Sequence, residues 1–120
     1  MDELIERLVT NCGVERPAAE KSVGIILDFL RKEGPADKVQ ALIDAMPGAE
    51  ALIAASEGQA GGMAGMGGIM GAANRLTAAG LSMGQIQCVT RELVAHGRET
   101  AGEDTVGEIV GAIPGLSQFA

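Results

Sequence analysis

Between residues 2 and 12 the apolar side chains fall at Leu4, Ile5, Leu8 and Val9. That i, i+3, i+4 spacing puts one stripe along an α-helix. Gly13 follows where a helix would need a left-handed cap. The next pattern predicts a helix over 15–33, with Pro17 in the first turn, where a missing N–H is harmless. Its stripe is Ala19, Val23, Ile26 and Leu30, widened by Ile25 and Phe29. Arg16, Glu20, Asp28 and Lys32 recur at four- or eight-residue spacing and are expected on the wet face. A face this broad makes the helix the centre of its half.

Gly34-Pro35 breaks the pattern. Val39, Leu42, Ile43 and Met46 then predict a third helix, with Asp37 in the first turn, where a carboxylate suits the helix dipole. Pro47-Gly48 ends it, and residues 50–55 predict a short fourth helix. A run without charge, GQAGGMAGMGGIMGAAN from Gly58 to Asn74, follows, and its latter part is expected to turn helical over 69–79. Ser82 and Gln85 have the spacing of a capping box ahead of a helix reaching about Arg98. Its inward positions are Ile86, Val89, Leu93 and Val94. Thr100 and Glu103 suggest a second box. Val106, Ile109, Val110 and Ile113 form the last stripe before Pro114-Gly115, and the tail is expected to dock through Leu116 and Phe119. The predicted fold is all-α, a compact bundle of six or seven short helices.

A shift of 67 residues lays the second part of the chain on the first without a gap. Gly13 falls on Gly80, Asp37 on Asp104, Val39 on Val106, and Pro47-Gly48 on Pro114-Gly115. The stripe Val39, Leu42, Ile43, Met46 falls on Val106, Ile109, Val110, Ile113. These matches sit at stops, caps and core positions, and they suggest a duplicated three-helix unit. The expected organisation is one domain over 1–120. Its pseudo-repeated halves, 1–57 and 75–120, are joined by the Gly/Met-rich segment 58–74.

The opening MDELIERLVTNCGV, the run AEKSVGIILDFLRKEGPADKVQALIDAMPGAEA and the ending GEDTVGEIVGAIPGLSQF resemble small bacterial all-helical proteins. These belong to domain-of-unknown-function families, VcgC/VcgE-like ones among them. The resemblance covers nearly the whole chain. Its motif, an apolar helix ending in Ile, Leu or Met followed by Pro-Gly, is structural. It implies the fold and brings no activity, cofactor or site residue with it.

Composition narrows the function classes. The 120 residues carry a formal net charge of −7, which phosphate backbones and anionic lipid surfaces repel. Nucleic acid and membrane are therefore not expected partners. The longest uncharged run is too short and glycine-rich to span a bilayer. The acidic opening MDELIER lacks the basic and apolar regions of a secretory signal, so the expected compartment is the cytoplasm. Cys12 and Cys88 have no metal-site or CxxC spacing. In a reducing compartment they read as two small buried apolar residues rather than a disulfide.

The sharpest chemical feature is the methionine cluster. Met63, Met66 and Met70, with Met46 and Met83, could offer soft thioethers to Cu(I). They equally make an apolar stripe or an adaptable surface, and no metal site is expected. Gly61, Gly65, Gly67 and Gly71 allow close backbone approach. They lack the GK[ST] sequence and preceding strand of a phosphate loop. His96, the single histidine, lies near a helix end, where the dipole mildly favours imidazolium. Cys88 is two turns away, too far to act with it as a nucleophile–base pair within one helix. Glu3, Glu6, Glu20 and Asp44 read as solvated carboxylates without the Glu-x-x-His pattern of di-iron bundles.

The expectation is a non-catalytic helical interaction module without cofactor. It would self-associate or dock a protein partner through a surface made by Met63, Met66, Ile69 and Met70. The alternative is a carrier of a small apolar ligand held between the halves.

Overall fold

The computed structural model describes residues 2–46, 48–57 and 68–113; for 2, 55–57 and 68–70 it describes the backbone alone. Seven helices lie within these residues: α1 Asp2–Cys12, α2 Arg16–Glu33, α3 Ala36–Asp44, α4 Ala49–Glu57, α5 Gly68–Ala78, α6 Met83–Ala101 and α7 Glu103–Ala112. Pro47, the Pro114-Gly115 stop and the tail contacts expected at Leu116 and Phe119 lie outside the described residues.

The punctuation acts as the sequence suggests. Gly13 and Gly80 both take positive φ, 69° and 102°, at the turns ahead of α2 and α6. A side chain is strained in that conformation, so glycine suits both corners. The residue after each, Val14 or Leu81, turns back into the core. Pro17 sits in the first turn of α2. Ser82 caps α6: the Gln85 N–H donates to Ser82 Oγ at 3.3 Å, and the Ser82 N–H donates to Gln85 Oε1 at 2.9 Å. The box expected at Thr100 and Glu103 does not form. Instead α6 runs on to Ala101 and the Thr100 hydroxyl donates back to the His96 carbonyl at 3.0 Å. Gly102, at φ 98°, makes the break into α7.

The long helix α2 is the centre, packing against α1, α3, α4, α5 and α6. Its core residues Ala19, Val23, Ile26, Leu27 and Leu30 are buried with Ile25 and Phe29. α1 lies antiparallel along α6, as its cross-links run from Arg7 to Glu99 and from Cys12 back to Cys88. Leu4, Ile5 and Leu8 of α1 are sealed at 1 % exposure or less. Each such burial stabilises by about 1.5–3 kcal/mol against exposure. α3 packs on α7, where Lys38 Nζ meets Glu108 Oε2 at 2.9 Å across the surface. Val39, Leu42 and Ile43 on one side and Val106 and Ile109 on the other fill the space between. At the crossing of α6 with α3 and α7 stands Gly97. A Cβ there would come within 2.8 Å of Leu42 Cδ1 and 3.2 Å of Val106 Cγ2.

One polar position departs from the pattern. Asp28, expected on the wet face of α2, is fully buried. Lys32, one turn further along the same side of α2, is exposed, but at Asp28 that side is covered by α5. Its Arg75 reaches Asp28 Oδ2 at 3.1 Å. Among the described residues no helix is long and apolar enough to cross a membrane.

Candidate functional site

Of the four residues expected to form a partner surface, Met63 and Met66 lie outside the described residues. Ile69 and Met70 fall in the first turn of α5, whose backbone is described there without their side chains. Of the other methionines weighed as soft ligands, Met46 is buried at 1 % exposure and Met83 stands out at 57 %. The first is core and the second surface. No group of three His, Cys, Asp or Glu side chains that could hold a metal occurs among the described residues.

Three polar arrangements remain. The first is the pair Asp28–Arg75, joined by Lys32 Nζ at 3.1 Å from the same Asp28 oxygen. Among the described residues Asp28 Oδ1 has no hydrogen-bond partner, and it is buried. A buried charge costs several kcal/mol unless paired, so Arg75 keeps α5 in register on α2. Neither residue belongs to a nucleophile–base arrangement. Periodicity alone could not join residues on different helices.

The second arrangement lies on the α1–α6 seam. Arg7 donates to Glu99 Oε2 at 2.8 Å and to Glu92 Oε2 at 3.0 Å. These bonds raise the Arg7 pKa, and the Arg7 guanidinium holds the Glu99 carboxyl below its ordinary value. His96 stands nearby, 8 % exposed. Burial pushes its pKa below the ordinary 6.5, and the neighbouring Arg7 charge pushes the same way. The helix-end benefit expected for an imidazolium is outweighed because α6 continues past His96 and the ring sits inside the protein. Glu3, Glu6 and Asp44 are exposed, as their solvated reading requires, and Glu20 is partly exposed.

The third arrangement corrects the reading of the cysteines. Cys12 and Cys88 form a disulfide, with Cα atoms 5.6 Å apart across a sequence separation of 76. The antiparallel pairing of α1 with α6 brings together residues whose linear distance suggested nothing. Both cysteines are partly exposed rather than core. Beside the bridge, Gln85 Nε2 donates to the Gly13 carbonyl at 3.2 Å. A solvent-open cavity of about 370 Å³ lies there, lined by Gly13, Val14, Glu15, Ala79, Gly80 and Gln85 among others.

The interior between α2, α3, α6 and α7 holds an apolar crevice walled by Ile26, Leu30, Leu42, Leu93 and Val106, with free room of about 10 Å³. A single water needs about that much.

No family model matches the chain, and neither a curated protein nor a solved structure matches it.

Proposed function

We propose that the protein is a non-catalytic helical interaction module that self-associates or docks a protein partner through the surface carrying Met63, Met66, Ile69 and Met70. One observation carries the reading: the described helices bury a continuous apolar core, while the chain between α4 and α5 is an uncharged run of Gly, Met, Ala and Gln. An uncharged run rich in Met and Gly fits a contact surface. Methionine suits such a surface because its unbranched thioether adapts to irregular partners.

The correspondence under a 67-residue shift supports a duplicated unit as the scaffold. The shift carries the start of α2 at Arg16 onto the start of α6 at Met83, and that of α3 at Ala36 onto that of α7 at Glu103. The likeness to VcgC/VcgE-like families rests on the sequence stretches alone. A cytoplasmic setting accords with this proposal provided that the Cys12–Cys88 bridge is reversible, since bridges in reducing compartments are transient or redox-sensing.

Native mass spectrometry and light scattering on the intact chain, beside the variant Met63→Gln/Met66→Gln/Ile69→Gln/Met70→Gln, test the proposal. A dimer or a recovered complex that the variant abolishes, with helix content unchanged, is the expected result. Assembly that persists in the variant rejects this surface.

The carrier of a small apolar ligand is the weaker reading. The crevice between α2, α3, α6 and α7 has the right lining and place, and a ligand would have to part the helices to enter. A reproducible added mass on the monomer would favour it.

A further inference from the structure

We infer that the Cys12–Cys88 bridge is a reversible thiol–disulfide clasp, one that sets how firmly the α1–α2 turn is held against α6. The inference is independent of the Met-bearing surface. Four observations carry it. The two cysteines are the chain's full complement and both are in the bridge. Both are partly exposed, so the bridge is not sealed inside the core. The bridge sits at the last residue of α1, at the rim of the core that Leu4, Ile5 and Leu8 anchor. Beyond it the turn is tied to α6 by an exposed hydrogen bond, Gln85 Nε2 to the Gly13 carbonyl.

The chemistry balances with a dithiol reductant of the thioredoxin or dithiothreitol class. Its thiolate attacks one Sγ of the bridge, forms a mixed disulfide and expels the other cysteine as thiolate. The reductant's second thiolate then attacks the mixed disulfide, releases the remaining cysteine and leaves the reductant as a disulfide. Two electrons pass from the reductant to the chain, and two protons complete the Cys12 and Cys88 thiols.

The opened form keeps α1 docked through its apolar residues and through Arg7 on Glu92 and Glu99. It loses the covalent tie at the turn. Gly13, Val14 and Glu15 of that turn form one wall of the cavity of about 370 Å³, and Gly80, Leu81 and Gln85 face them. Two walls of this cavity are therefore joined covalently only in the oxidised state.

The test treats the intact oxidised chain with dithiothreitol in the absence of denaturant, at low temperature, and follows it by intact mass and by amide hydrogen exchange. The expected result is reduction of the folded protein, reversed on reoxidation. Protection should be lost at residues 10–15 and 83–88 and retained around Leu27 and Leu93. The variant Cys12→Ser/Cys88→Ser should fold and reproduce that local pattern. Reduction that requires denaturant overturns the inference. So does loss of protection along the whole chain, no change in protection, or a double variant that fails to fold, each of which makes the bridge a permanent staple or an idle one.

Discussion

Arg75 of α5 donates to Asp28 of α2 at 3.1 Å, and the aspartate it meets is fully buried. This ion pair crosses 47 residues of sequence and fixes where α5 lies on the central helix. Removing one member leaves a charge inside the protein with weaker compensation. Arg75→Met is expected to destabilise the protein in urea denaturation, by less than the roughly 3–5 kcal/mol of a buried charge left alone, because Lys32 stays on the same Asp28 oxygen. The double variant Asp28→Leu/Arg75→Met, which removes both charges, should cost clearly less than the sum of the two single changes. Additive losses would mean that the pair is not coupled.

Gly97 and Gly107 make a matched contrast. Gly97 lies where α6 approaches Leu42 and Val106, and Leu42 is itself locked in the core. Gly97→Val should destabilise by about 1–3 kcal/mol through overpacking. Gly107 is inside α7, and a Cβ there meets nothing within 4 Å. Gly107→Ala should stabilise by about 0.5–1 kcal/mol from helix propensity. Thermal unfolding of the two variants reads both signs.

The lowered pKa of His96 gives a stability effect with a definite sign. Burial, aided by the charge of Arg7, lowers the ring's affinity for a proton in the folded chain, while the unfolded chain binds it near the ordinary 6.5. The unfolded state therefore takes up more protons as pH falls through that value, and stability falls with it. Glu99, held below its ordinary 4.5 by Arg7, adds a separate loss of stability in more acid solution. His96→Gln should flatten the slope that sets in as pH falls through 6.5 and leave the acid limb in place. An unchanged slope would assign that window to another group.

Ser82 closes the capping box of α6. Ser82→Ala should cost about 1 kcal/mol. Gln85→Ala should cost more than a cap partner alone, because Gln85 also ties α6 to the Gly13 carbonyl. The chemical denaturation midpoints of the two variants decide this order.

Much of this architecture is legible in local sequence. Helix spacing located α1 and α2 to within a residue, and Ser82 with Gln85 marked the start of α6. The helical part of the Gly/Met run was expected over 69–79 and is α5, Gly68–Ala78. What escaped was long-range. Asp28 lies one turn before exposed Lys32 on the same side of α2, and its burial depends on where α5 lands. Cys12 and Cys88 carry no local signal of each other, because their meeting follows from the antiparallel run of α1 on α6. Thr100 with Glu103 fits a capping box in sequence, yet Gly102 offers the chain a sharper break. As for the partner surface, Met63 and Met66 lie outside the described residues, and for Ile69 and Met70 their place at the start of α5 is what the structure adds.

The pairing of the first helix with the sixth also dictates an order of events on the ribosome. About 70 residues separate the end of α1 at Cys12 from the start of α6 at Met83. At roughly 5–20 residues per second, the seat for α1 is synthesised several seconds after α1 itself. Until then Leu4, Ile5 and Leu8 can lean on α2 but lack their second wall. For those seconds the nascent chain carries a greasy helix without its second wall, and that interval is when a chaperone or a wrong neighbour has its best access to it.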